Sequence, residues 1–167
     1  MKLEKDKLYL CFHKPKGFVG HMISLWTLGI YCHCEFVYND DVYLANPPKV
    51  MKKKYTYDPQ YHDLYEVSSR VDAKKVMEFF NMTEGMEYDM KGIGEGQAFY
   101  WMNNHAEDKY FCSEWAMNAL DYALGYIFRF KGKTVPEHDG KAFYYKFNPA
   151  RLYKYLLKED IILNEVK

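Results

Sequence analysis

Two short segments of the sequence carry residue types that together could activate a thiol. The first is Tyr110-Phe111-Cys112-Ser113-Glu114-Trp115, after which apolar residues recur at spacings of three and four as far as Gly125. This spacing predicts an amphipathic helix that ends at the glycine and has Cys112 at or just inside its N-terminus. The free N–H groups and the positive end of the helix dipole favour an anion there, which lowers the pKa of a cysteine from about 8.5 toward neutrality.

The second segment is Tyr31-Cys32-His33-Cys34-Glu35-Phe36-Val37-Tyr38, which reads as a β-strand. Side chains alternate between the faces of a strand, so His33 and Glu35 point one way and the two cysteines the other. A carboxylate on the same face orients the imidazole and stabilises its protonated form. If the ring meets Cys112, the result is a thiolate–imidazolium pair, in which the histidine later protonates the leaving group.

Cysteine and histidine in one strand also raise the question of a metal site. The alternation separates the thiols of Cys32 and Cys34 from His33, and no second Cys-x-x-Cys or His pair in the sequence supplies the missing zinc ligands. We therefore expect neither a metal nor another cofactor. Cys11 and His13 share one face of another predicted strand, and we expect Cys11 to lie in the core.

Length and composition favour one packed domain. The chain has 167 residues, of which 49% are hydrophobic and 19% aromatic, which favours a packed chain over a disordered one. Lys+Arg and Asp+Glu are 23 each, and this zero net charge argues against a nucleic-acid partner, because nucleic-acid binders normally carry a basic excess. Because the sequence shows neither a signal peptide nor an apolar run long enough to span a bilayer, we expect a cytoplasmic protein with reduced thiols.

Hydrophobic spacing and turn signals place the elements that must position these residues. Strands are expected at residues 8–13, 32–38, 42–45, 50–57, 64–67 and 142–147, with a strand or loop at 126–131. Helices are expected at about 20–28, from a cap at Ser69 or Asp72 through 80, after Cys112, and at 149–158. The turn Asn39-Asp40-Asp41 joins the second and third strands as a hairpin.

The long segment 83–108 contains four glycines and is expected to be functional or partly helical, with a short helix at 97–103. Within it, Gly92, Gly94 and Gly96 are expected to form a flexible rim of the active site. The complete order of elements predicts an α+β fold in which helices flank a mainly antiparallel sheet. We expect a single domain over residues 1–167.

Three elements, in this order, resemble those of a known family. Cys32-His33-Cys34-Glu35-Phe36 matches a His-x-Glu element at the start of a strand. Gly85-Met86-Glu87-Tyr88-Asp89 matches a Gly-x-x-Tyr-Asp element, and the segment around Cys112 matches a Tyr-Phe-Cys-Ser-Glu element. Over about residues 8–125 the chain resembles the circularly permuted, NlpC-like papain-fold cysteine hydrolases of the YiiX/YaeF type, which have bacterial, phage and poxvirus members.

The resemblance implies a permuted papain-like antiparallel sheet with the cysteine-bearing helix packed on it. It also implies a catalytic site made by Cys112, His33 and Glu35, which acts on amide or ester bonds through a thioester acyl-enzyme. The first N–H groups of the helix are expected to donate to the oxyanion. His105, which precedes the cysteine helix, is the reserve candidate for the catalytic base.

Tyr88, Asp89 and Tyr110 lie in the matched elements and are expected to contact the substrate. A small peptide, a cell-wall fragment and a lipid all suit a thiol nucleophile, and the acyl group would pass to water or to another acceptor. Since the family has phage and poxvirus as well as bacterial members, the resemblance is compatible with a viral or phage-encoded protein acting in the host cytoplasm and does not identify the source. Two alternatives stay open: a non-catalytic peptide- or lipid-binding module on the same fold, and a virion or host-interaction protein.

Overall fold

The described part of the chain is built around one six-stranded sheet. A computed structural model describes residues 3–27, 29–90, 109–125, 129–130, 133–134 and 147–166. Its strands are β1 (Leu8–His13), β2 (His33–Tyr38), β3 (Asp41–Asn46), β4 (Lys49–Lys54), β5 (His62–Val67), β6 (Arg129–Phe130), β7 (Lys133–Thr134) and β8 (Ile162–Val166). Its helices are α1 (Gly17–Thr27), α2 (Ala73–Thr83), α3 (Cys112–Ala123) and α4 (Pro149–Lys158).

Strand order in the large sheet is β4-β3-β2-β1-β5-β8, and every neighbouring pair is antiparallel. The strand β1 therefore lies between β2 and β5. The register pairs His13 with His33 on one side and with His62 on the other. Three histidines consequently meet at one end of the sheet.

The predicted hairpin between β2 and β3 is confirmed. Tyr38 pairs with Asp41, so only two residues form the loop, and both have positive φ: 48° at Asn39 and 64° at Asp40. A two-residue loop of this kind matches the right-handed twist of the flanking strands, and Asn and Asp tolerate the left-handed conformation better than most residues do.

Helix α3 lies against the sheet face that Leu10, Phe12 and Phe36 form. Trp115 is fully buried and meets Phe36 edge-on, with 5.9 Å between ring centroids. The indole N–H of Trp115 donates to Thr83 Oγ1 at 2.9 Å, which ties α3 to the end of α2. The predicted α+β fold is therefore confirmed, with the cysteine-bearing helix packed on an antiparallel sheet.

Several predicted boundaries are close to those observed. The strand β1 and the helix α4 match the prediction at both ends, whereas α1 begins at Gly17 rather than at residue 20 and β4 ends at Lys54 rather than at 57. The strand β8 was not predicted because it lies at the edge of the sheet with only Ile162 fully buried, so its side chains show no alternating pattern. The predicted helix at 97–103 lies outside the described residues, as do most of the glycine-bearing segment and all of the strand at 142–147 except Phe147.

The other sheet face carries its own small core, in which Cys11 is completely buried, as expected. Within the described residues, no helix has the length and apolar character that a bilayer crossing requires.

Candidate active site

Cys112 is the first residue of α3, as the apolar spacing predicted. The preceding residue, Phe111, has an extended conformation and forms no capping side-chain hydrogen bond among the described residues. Because Phe111 does not cap the helix, the first N–H groups are open to acceptors from elsewhere in the chain or from a ligand. The sulfur is well shielded, since Cys112 is only 3% exposed.

The side chains of Cys112 and His33 lie close enough to shift each other's pKa. The thiol and the backbone N–H of Cys34 also donate to the Cys112 sulfur, and together with the charge of His33 they hold the pKa of Cys112 well below its usual range despite burial. Burial lowers the pKa of His33, but the negative charge of Cys112 and the contacts with Cys112 and Glu35 raise it to about 9. Both changes favour a thiolate beside an imidazolium ion.

Cys34 is a site residue that the sequence interpretation missed. It belongs to the same buried cluster as Cys112 and Phe36, whereas Glu35 lies on the opposite sheet face, across from Cys11. The predicted alternation is correct, but α3 covers the face of Cys34 rather than that of Glu35. His33 still reaches the sulfur because it is the first residue of β2. The apolar Phe36, two residues after Cys34, is the signal that could have identified the helix-facing side.

Glu35 is buried, with 2% exposure, and three cationic or protonatable groups surround its carboxylate. His13 Nε2 lies 3.0 Å from Oε1, while His33 Nε2 and Lys53 Nζ each lie 3.6 Å from Oε2. At 3.6 Å the contact with His33 is one of charge rather than a hydrogen bond. Burial raises the pKa of Glu35, but the contacts with the two imidazoles, His13 first, lower it well below the usual range.

His13 is a second residue whose place at the site was not predicted from the sequence. Its ring stacks on His62 with centroids 4.2 Å apart and meets His33 edge-on at 5.0 Å. Burial lowers the pKa of His13, and the contact with Glu35 offsets this only in part. At neutral pH the ring is therefore uncharged. Spacing along the chain could not reveal this contact, because it depends on the register between β1 and β2.

Cys11, His13 and His62 form the one group among the described residues in which three metal-ligating atoms lie within 4.8 Å of one another. Nδ1 of His62, however, accepts a hydrogen bond at 3.2 Å from the backbone N–H of Asp58. In a neutral imidazole this assigns the remaining proton to Nε2, which leaves no lone pair for a metal ion. A metal-bound histidine has the opposite arrangement, since its other nitrogen donates. This group does not fit a zinc site as it stands.

Tyr88 lies beside Cys112, and its role in substrate binding stays a prediction. Its hydroxyl oxygen accepts a hydrogen bond from the backbone N–H of Cys112, and the hydroxyl also contacts the sulfur. Burial and the negative charge of Cys112 raise the pKa of Tyr88, so the phenol keeps its proton. Tyr88 also lines a cleft of about 470 Å³, which the structure builds from Pro47, Pro48, Lys49, Gly85, Glu87 and Met90 as well.

Asp89 and Tyr110 are buried and connect this segment to the start of α3. The backbone N–H of Asp89 donates to the carbonyl of Tyr110 at 3.0 Å, and the Tyr110 ring meets Phe79 edge-on at 6.3 Å. These contacts position Tyr88 next to Cys112. Roles of Asp89 and Tyr110 in substrate binding stay predictions, and His105 lies outside the described residues.

No protein-family model, curated protein or solved structure matches this chain. The three sequence elements thus remain a resemblance, and the function has to be inferred from the chemistry of the Cys112 site.

Proposed function

We propose that this protein is a cysteine hydrolase of the permuted papain-like type, which cleaves an amide or ester bond. The observation that carries the proposal is the contact between Cys112 and His33, in which the pKa of the thiol is lowered and that of the imidazole is raised. The position of Cys112 at the start of a helix packed on an antiparallel sheet supports the papain-like interpretation.

In the first half of the reaction, the Cys112 thiolate attacks the carbonyl carbon of the substrate, and a C–S bond forms. The carbonyl oxygen becomes an oxyanion, next to the backbone N–H of Cys112 and the protonated hydroxyl of Tyr88. The imidazolium of His33 gives its proton to the leaving nitrogen or oxygen as the C–N or C–O bond breaks. A thioester on Cys112 and a neutral His33 remain.

In the second half, His33 accepts a proton from water while the water oxygen attacks the thioester carbon. The C–S bond breaks, the acid product leaves, and the thiolate–imidazolium pair is restored. Glu35 stabilises the charged ring in both halves from 3.6 Å away. Transfer to another acceptor would replace water by that acceptor with no change in the residues.

A second candidate function is a non-catalytic peptide- or lipid-binding module. The observation that favours it is the burial of Cys112, since a residue that is only 3% exposed leaves little room for a substrate carbonyl to approach its sulfur. The two candidates differ in whether a small electrophile and an acyl substrate reach the sulfur.

Alkylation by iodoacetamide at pH 6, followed by intact-mass analysis and peptide mapping, tests the proposal. We expect a single adduct, on Cys112. Cys32 is an internal control, because it is more exposed than Cys112 but burial raises its pKa to about 11. A panel of fluorogenic peptide amides, cell-wall peptides and acyl esters then identifies the bond that is cleaved.

Cys112→Ala should remove the adduct and lower turnover at least about a thousandfold, since loss of a catalytic nucleophile removes the covalent pathway. Its thermal unfolding serves as the control for folding. Full turnover in Cys112→Ala would end the proposal. Failure of wild-type Cys112 to react at pH 6, together with peptide or lipid retained on purification, would favour the binding module.

A further inference from the structure

We propose that His13 is a positioning residue of the site, which holds the Glu35 carboxylate from the neighbouring strand so that its negative charge stays beside His33. The inference rests on the proposed function of Cys112 and His33. It adds a second histidine that touches neither the sulfur nor the substrate and acts through Glu35.

The sheet register creates this arrangement. His13 and His33 pair directly across β1 and β2, and Glu35 lies two residues further along β2 on the same face as both rings. The carboxylate can therefore reach both. Its Oε1 is 3.0 Å from His13 Nε2, whereas Oε2 is 3.6 Å from His33 Nε2, so the nearer partner is the histidine that does not meet the cysteine.

A carboxylate buried as deeply as Glu35 is stable only with close partners, because removal from water otherwise favours its neutral form. The side-chain nitrogens of His33 and Lys53 both lie near Oε2 of Glu35, whereas His13 lies near Oε1. Without His13, a carboxyl group in this position would turn toward Lys53 or take up a proton. Either change weakens the interaction that stabilises the charged ring of His33.

His13 suits this role because it stays uncharged. The groups that face it from the surrounding strands are Glu35 and His33 on β2, His62 on β5, Lys53 on β4 and Cys11 on β1 itself. Burial disfavours a second proton on His13, and so do the positive charges of His33 and Lys53. The neutral ring lies with Nε2 3.0 Å from Glu35 Oε1 and does not compete with His33 for the positive charge. The Glu35 carboxylate thus contacts two histidines, of which only His33 is ionised.

The test measures the second-order rate of Cys112 alkylation by iodoacetamide from pH 5 to pH 9, which needs no substrate. In His13→Leu we expect a higher pKa of the Cys112 thiol and a rate at pH 6 that falls about tenfold for each unit of that rise. His13→Gln retains a side-chain N–H donor and should restore the rate to within about threefold. The matched control is His62→Gln, which removes the ring stacked on His13 but no contact to Glu35.

Two further measurements separate positioning from packing. If His13 acts through Glu35, His13→Leu should slow alkylation little further in a Glu35→Gln background. The inference would be overturned if His13→Leu lowered only the melting temperature and left the pH profile of alkylation unchanged. It would also be overturned if the losses in alkylation rate caused by His13→Leu and Glu35→Gln were fully additive in the double variant. Should His13→Leu fail to fold, His13→Asn replaces it, because its amide is polar but too short to reach Glu35.

Failure of the proposed function has a different signature. In that case wild-type Cys112 does not react at pH 6, and the role of His13 is measured instead by NMR titration of His33. A lower pKa of His33 in His13→Leu than in the wild type would still support the positioning role, and equal pKa values would refute it.

Discussion

Removal of the Cys112 sulfur should release the proton that it holds on His33. Burial alone lowers the pKa of His33, and the negative charge of Cys112 is the largest influence that raises it, to about 9. A rise from the ordinary value of 6.5 to about 9 corresponds to roughly 3 kcal/mol in favour of the charged ring. In Cys112→Ala the Glu35 carboxylate, 3.6 Å away, remains to oppose burial, so the pKa of His33 should fall to about 6.5 or below.

The assay is an NMR titration of the histidine Cε1 protons from pH 5 to pH 10. The chain has six histidines, and the signal of His33 is the one that disappears in His33→Asn. Cys112→Ser is the matched control, because it keeps a hydrogen-bonding group of similar size but carries no negative charge, and we expect it to behave like Cys112→Ala. If His33 still titrates near pH 9 in both variants, Glu35 rather than the sulfur holds the proton, and the thiolate–imidazolium pair is wrong.

Two other substitutions test neighbouring contacts. Cys34→Ala removes the thiol donor that contributes most to lowering the pKa of Cys112, so alkylation of Cys112 at pH 6 should slow about tenfold. Cys34→Ser keeps a donor and should preserve the rate. Equal alkylation rates in the two variants would contradict this role of Cys34. Thr83→Val leaves the buried indole N–H of Trp115 without its acceptor, which should cost about 1–3 kcal/mol and lower the melting temperature by roughly 2–12 °C in calorimetry. Thr83→Ser keeps the hydroxyl and is the control, and a Thr83→Val variant as stable as the wild type would show that the indole finds another acceptor.

Elements with strong local signals were predicted well from the sequence. The apolar spacing after Cys112 and the glycine at 125, where φ is 73°, define α3. Pro149 lies in the first turn of α4 and predicted where this helix begins; in the structure Asn148 caps the same end by accepting from the backbone N–H of Arg151. In each case the signal lies within a few residues of the element that it defines, which is why the sequence alone is sufficient.

The contacts of Glu35 could be predicted only in part from the sequence of its own strand. Alternation along β2 correctly placed both side chains on one face, and from this the carboxylate was expected to orient the ring. In the structure, however, the closer partner of Glu35 is His13, which belongs to a different strand. A period of two residues predicts which side chains share a face, but it contains no information about what lies on the next strand.

The sequence by itself determined the α+β class, the position of the thiol at a helix N-terminus and the strand that carries the imidazole, because capping signals and apolar periodicity are local properties. Only the tertiary structure decided that α3 covers the face of Cys34, that His33 reaches over the end of the sheet to the sulfur, and that His13 meets the carboxylate. These contacts depend on strand register and on which sheet face a helix covers. Both are set by the packing of residues that lie far apart along the chain, and no spacing within one segment records them.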